Sequence, residues 1–200
     1  MVVLGCDVRY YQKIHRNFIW ANRFAASTSF GNEKLLYYMG GVDNSFNPKF
    51  DNTTNISTTQ NYAFQTLATN MRGFYQNARN GNSFAVINSE LRLPIFNYLY
   101  QRPVSSDFIE NFQVIAFTDI GTAWVGKSPF SDSRSTSTQT INQTPLIISL
   151  NSQHNPIIAG YGWGVRTRIL GYFVRVDRAW GVQDGIILSP IWYLSLGFDF

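Results

Sequence analysis

Cysteine is almost missing from this 200-residue chain: Cys6 stands alone, so no intramolecular disulfide is available. Histidine is nearly as scarce. His15 and His154 both fall in predicted connections, which argues against a metal cluster or a histidine-based triad. Charged residues make up only 14%, and the net charge of +4 comes from dispersed basic side chains, so nucleic acid is not an expected partner. No apolar run approaches the roughly 18 residues of a membrane helix, which excludes a helical span. The N-terminal stretch lacks the basic start and apolar core of a secretory signal and reads as a strand. Gly160-x-Gly162-x-Gly164 superficially resembles a dinucleotide turn, but its spacing is wrong and no helix follows. Asp107 and Glu110 read as solvated. The expectation is a protein without catalytic residues, cofactor or metal.

What the chain does have is aromatics, at 16%, and alternation. Seven segments alternate between apolar and polar or small residues: Val2–Tyr11, Asn17–Phe30, Ser83–Ile95, Phe112–Trp124, Pro156–Ile169, Tyr172 to about Trp180, and Pro190–Phe200. In the fourth, Gln113, Ile115, Phe117, Asp119 and Gly121 share one face. In the fifth, Tyr161, Trp163, Val165 and Ile169 oppose Gly160, Gly162, Gly164, Arg166 and Arg168. In the last, Trp192, Leu194, Leu196, Phe198 and Phe200 oppose Tyr193, Ser195, Gly197 and Asp199. Short links alternate with long ones, chiefly 31–82 and 125–156, both rich in Asn, Ser or Thr.

Segments of about ten to thirteen residues suit a tilted crossing of a bilayer, and short turns alternating with long loops suit an outer-membrane barrel. The aromatic strand ends Trp124, Tyr172, Trp180 and Trp192 suit interfacial girdles, with Arg178 as an exception on the lipid side. A soluble antiparallel sandwich also alternates. It needs two apolar faces to meet, however, and here the second face carries glycines and charges. The expected class is therefore all-β, an antiparallel transmembrane barrel. Seven strands do not close such a barrel, and open edges in hydrocarbon are prohibitive. The chain is thus expected to be the C-terminal part of a longer one.

Several motifs then occur in order. Gly40-Gly41 precedes Met71-Arg72-Gly73-Phe74. After them come Asn88-Ser89-Glu90-Leu91-Arg92-Leu93-Pro94, Phe117-Thr118-Asp119-Ile120-Gly121, Gly162-Trp163-Gly164-Val165-Arg166, Asp177-Arg178-Ala179 and the terminal Phe200. As an ordered set over nearly the whole chain they resemble the BamA-type outer-membrane assembly factors, also called bacterial surface antigen proteins. In that family the sixteenth and last strand ends in an aromatic residue and the arginine loop precedes strand twelve. By that count this chain looks like strands ten to sixteen. It departs from the pattern by an insertion of about thirty residues between Gly40-Gly41 and Arg72.

The resemblance implies that loop 31–82 tucks into the lumen and that Arg72 pairs with Asp119, with Phe117, Gly121, Glu90, Arg92 and Arg166 around them. Arginine offers a planar fork for a carboxylate, Gly73 permits a sharp turn, and Phe74 is expected against Gly160, Gly162 and Gly164. Read without the resemblance, Arg72 is a solvated loop charge and Asp119 pairs with Arg92 or Arg166. The resemblance further implies that Trp192, Leu194, Leu196, Phe198 and Phe200 form a C-terminal strand signal at a weak seam. It implies a barrel at the bacterial outer membrane that assembles, inserts or translocates proteins. The expected partners are outer-membrane lipids, unfolded client proteins and periplasmic or lipoprotein accessory subunits. The alternatives are a barrel anchoring an attached N-terminal domain, and a passive pore.

Overall fold

The computed structural model describes residues 1–57, 60–99, 106–130, 138–143, 146–151, 154–169 and 171–197. The strands are β1 (Val2–His15), β2 (Phe18–Phe30), β3 (Lys34–Met39), β4 (Tyr62–Leu67), β5 (Arg79–Gly81), β6 (Ser83–Leu93), β7 (Gln113–Trp124), β8 (Thr138–Gln143), β9 (Leu146–Asn151), β10 (Ile158–Ile169), β11 (Tyr172–Gln183), β12 (Ile186–Ile187) and β13 (Ile191–Gly197). Two short helices, α1 (Ile95–Leu99) and α2 (Asp107–Glu110), lie between β6 and β7. The fold is all-β and mostly antiparallel.

The main sheet runs β1-β2-β6-β7-β10-β11, with β12 and β13 both pairing with β11. These are the seven alternating segments plus the two-residue β12. The sheet is not closed, but it is curled: Arg9 and Tyr11 of β1 and Ser195, Leu196 and Gly197 of β13 line one cavity of about 390 Å³. Among the described residues no helix is long and apolar enough to cross a membrane, which says nothing about crossing by strands.

Register turns the alternation into two continuous surfaces. One row across the outer face reads Gln12, Trp20, Leu91, Ala116, Trp163, Arg178 and Trp192, each paired with the next. Trp163, Trp192, Leu194, Leu196, Ile87 and Ile120 on this face are all exposed. Arg178 projects among them, its guanidinium carbon 5.2 Å from the ring centroids of both Trp180 and Trp192. Stacking on ring faces supplies some of the stabilisation that water would otherwise give the cation.

The inner face holds the core. Tyr37, Met39, Met71, Phe74 and Ala78 of the long connection pack on Ala25, Phe84, Val86, Ala123 and Ile158 of the sheet. A second cluster joins Val42 to Ile115, Phe117, Ala179 and Tyr193. The inward face supplies Phe84, Val86, Ile115, Phe117, Ile158 and Tyr193, and the loop residues complete the two clusters.

Several expectations need correcting. The connection 31–82 contains a three-stranded sheet, β4-β3-β5, in which β3 and β4 are parallel. Its apolar runs Leu35–Met39 and Tyr62–Leu67 are short and sit within Asn/Thr-rich sequence, which masks them. The connection 125–156 contains the β8–β9 hairpin. The first turn is narrower than the predicted Gln12–Arg16: pairing continues to His15↔Phe18 past an irregularity at Lys13–His15, and only Arg16 and Asn17 remain to turn the chain. Phe198, Asp199 and Phe200 lie outside the described residues.

Phe74→Ala removes the largest apolar side chain that the loop tip inserts into the core. The expected result is a loss of roughly 3–5 kcal/mol in denaturant unfolding. Faster proteolytic cutting within 31–82, with the main sheet still intact, should accompany it.

Candidate functional site

Asp119 lies on the inner row Arg23, Asn88, Asp119, Gly160, Gly181, again paired strand to strand. To one side is an amide, and to the other are two residues with no side chain. Those glycines leave a groove across β10 and β11 in which a second backbone can lie. The loop tip lies there. A Cβ added at Gly160 would stand 1.9 Å from the Arg72 carbonyl oxygen, and one at Gly73, whose φ is +94°, would stand 2.6 Å from the Gly181 nitrogen. Both positions require glycine for close approach, and Gly73 also for its left-handed backbone.

This placement buries Arg72 to 1% exposure beside Asp119 at 0%. The Nε of Arg72 donates to Oδ2 of Asp119 at 2.7 Å, Nη2 donates to Oδ1 at 2.7 Å, and the Arg72 backbone N–H donates to Oδ2 at 3.1 Å. Asn88 Nδ2 adds a donor to Oδ1 at 2.8 Å, so the carboxylate accepts four bonds from two neighbours. The Phe117 ring supports the guanidinium from one face, 3.5 Å from ring centroid to Cζ. Burial alone would push the arginine below its ordinary pKa. The charges of Asp119, Glu90 and Asp177 outweigh that and raise it, so it stays a cation.

The remaining nitrogen, Nη1, donates to Glu90 Oε1 at 2.8 Å. Glu90 also accepts from Arg166 Nη2 at 2.8 Å and from Arg92 Nε at 3.0 Å. Arg92 and Arg166 are therefore partners of Glu90, and the reading that paired either of them with Asp119 is not what the geometry gives. Asp177 lies 3.8 Å from Arg72 Nη1 and 3.2 Å from Arg175 Nε, which ties β11 into the same cluster. Four guanidiniums meet three carboxylates across β6, β7, β10 and β11.

Gly121, on the same inner face, faces the Met39 sulfur rather than the arginine. Phe74 rests against Gly181. The glycines of β10 instead accommodate the Arg72 carbonyl (Gly160), the Phe117 ring (Gly162) and the Asp177 carboxylate (Gly164). Trp192, Leu194 and Leu196 form the outer face of β13, away from this site, while Phe198 and Phe200 lie outside the described residues.

Tyr193 was not singled out from the sequence. Its hydroxyl accepts from the Gly73 N–H at 3.0 Å and donates to the Phe74 carbonyl at 2.7 Å, fixing both peptides of the tip. The available signal was one aromatic hydroxyl among the small inward residues Ser195 and Gly197. Asn88 and Asp177 were visible only as members of motifs.

Nothing in the cluster pairs a nucleophile with a base. His15 meets Tyr98 and His154 meets Asp184, on separate parts of the surface. Among the described residues no group of three or more His, Cys, Asp or Glu is placed to hold a metal. The arrangement holds the loop tip against the inner wall.

Arg72→Ala should cost roughly 3–5 kcal/mol, mostly from leaving Asp119 and Glu90 buried without their partner. Arg72→Lys should fall between Ala and the native residue, since it keeps the charge and loses the fork. Exchanging the charges as Arg72→Asp with Asp119→Arg should not restore stability, because the new carboxylate would face Glu90 and Asp177. Tyr193→Phe should cost about 1–3 kcal/mol through the orphaned Gly73 N–H. Chemical denaturation of each variant checks all four. In comparisons with protein-family models, curated proteins and solved structures, no match to this chain was found.

Proposed function

We propose that this chain is the C-terminal portion of an outer-membrane barrel, of sixteen strands by its resemblance to the BamA-type factors, that inserts or exports other proteins. On this reading the outer row of Trp20, Leu91, Trp163 and Trp192 faces lipid, and loop 31–82 is a plug carried inside the lumen. The clients are unfolded outer-membrane or secreted proteins, with periplasmic or lipoprotein subunits as accessories. No cofactor takes part.

The observation that carries the reading is the join between the loop tip and the inner wall. A passive pore gains nothing from a buried ion pair that fills its lumen, whereas an assembly barrel needs a plug with two positions. A buried charge cluster suits such a part. It holds firmly when complete, and once one member moves the remaining charges favour hydration over the dry state.

Two measurements test this. In liposomes whose acyl chains are brominated on the carbons close to the headgroups, Trp163 and Trp192 fluorescence should be quenched. An equal signal in unbrominated lipid would remove the membrane assignment. In the bacterium that makes the full protein, Arg72→Ala should lower the amounts of other folded outer-membrane barrels several-fold while this protein remains in the membrane. Unchanged amounts of every other outer-membrane protein would leave the anchoring reading in place of assembly.

A further inference from the structure

The edge of β13 that faces away from β11 has its backbone engaged by the inserted loop. The Phe46 N–H donates to the Leu194 carbonyl at 2.8 Å, and the Leu196 N–H donates to the Asn44 carbonyl at 3.3 Å. These two bonds flank an antiparallel bridge between Ser45 and Ser195. Leu194 and Leu196 are the residues whose backbone groups point outward along this edge. Segment 44–46 therefore occupies the place of a neighbouring strand. Among the described residues no strand other than β11 pairs with β13.

The segment is held at its base and again beyond Pro48, where the Gln76 N–H donates to the Lys49 carbonyl at 2.9 Å and the Asp51 N–H donates to the Gln76 carbonyl at 2.7 Å. At the base, Gly41 bridges to Met71 and bonds the Phe74 carbonyl, and the Asp43 N–H donates to Asn70 Oδ1 at 2.7 Å. At the tip, the Asn44 backbone is left-handed (φ 55°), the Phe46 side chain is 75% exposed, and the segment runs on through Asn47 to Pro48, which has no N–H to extend the ladder. One bridge and two hydrogen bonds cover the edge of a seven-residue strand. The base is shared with the Arg72 tip through Met71.

We propose that residues 44–46 form a latch, which closes the edge of β13 in cis and must leave before any other extended strand can pair there. A bare edge strand recruits whatever extended backbone it meets, and a three-residue cover suppresses that while remaining easy to displace. The proposal goes beyond the assembly reading: in the sixteen-strand barrel of that reading, residues 44–46 would have to yield this edge to the barrel's own first strand, and their contacts with β13 stand whether or not the barrel assembles other proteins.

The test uses the full chain in lipid, on a Cys6→Ser background so that no native thiol competes. Ser45→Cys with Ser195→Cys places two cysteines at a non-hydrogen-bonded antiparallel pair, where Cβ atoms are close enough for a disulfide. The probe is a synthetic photo-crosslinking peptide with the alternating sequence of residues 191–197. The disulfide should form on mild oxidation, lower labelling of β13 by about tenfold or more, the scale of two net backbone hydrogen bonds, and release it on reduction. Phe46→Pro, which deletes the N–H bonded to Leu194, should raise labelling and speed amide exchange at Leu196.

Failure of the disulfide to form would overturn the latch. So would equal labelling in both redox states, or Phe46→Pro without effect. Redox-gated labelling alongside unchanged amounts of other outer-membrane proteins would keep the latch and remove the assembly reading.

Discussion

The bidentate contact between Arg72 and Asp119 is the constraint on which the inner half of the molecule depends. A guanidinium and a carboxylate, each almost wholly buried, are tolerable only when both are saturated with partners. Saturation here requires Asn88, Glu90 and the Phe117 ring from two strands, and glycine at two positions of the neighbouring strands. The wall is shaped around the tip. Where Asp119 needs a partner from outside the sheet, Gly160 and Gly181 supply the space through which that partner arrives.

From this join the placement of the loop follows. With Arg72 in the groove, Met71 and Phe74 are carried into the space beneath β6, β7 and β10, where Met39, Phe84 and Ile158 complete a packed cluster. The charges order the tip and the apolar groups around it supply the area. Tyr193 joins the tip to β13, and residues 44–46 join the stem to the edge of the same strand. The sheet from β2 to β13 is in this way connected to one inserted element.

The two faces follow opposite rules. Outside, many large apolar side chains stand exposed, and Arg178 among them stacks on tryptophans. Inside, glycines, amides and charges are covered. That inversion is costly in water and natural for a sheet bounded outside by hydrocarbon.

By itself the sequence determined the all-β class, seven strands of the main sheet and the assignment of residues to faces. Alternation has a period of two, and a slip of one residue would invert every side chain. It also marked Asp119 as an acid on an inward face, whereas Arg72 read by itself as a solvated loop charge and was paired with Asp119 only through the family resemblance. Tertiary structure alone decided the rest. Asn88, Tyr193 and Gly181 are ordinary residues until register places them around the tip, and register over gaps as long as 120 positions leaves no local trace. The small sheet within 31–82 and the cover on β13 likewise escaped the reading. Short strands of three to six residues gain their stability from neighbours distant in sequence, whereas the long strands carry a pattern of their own.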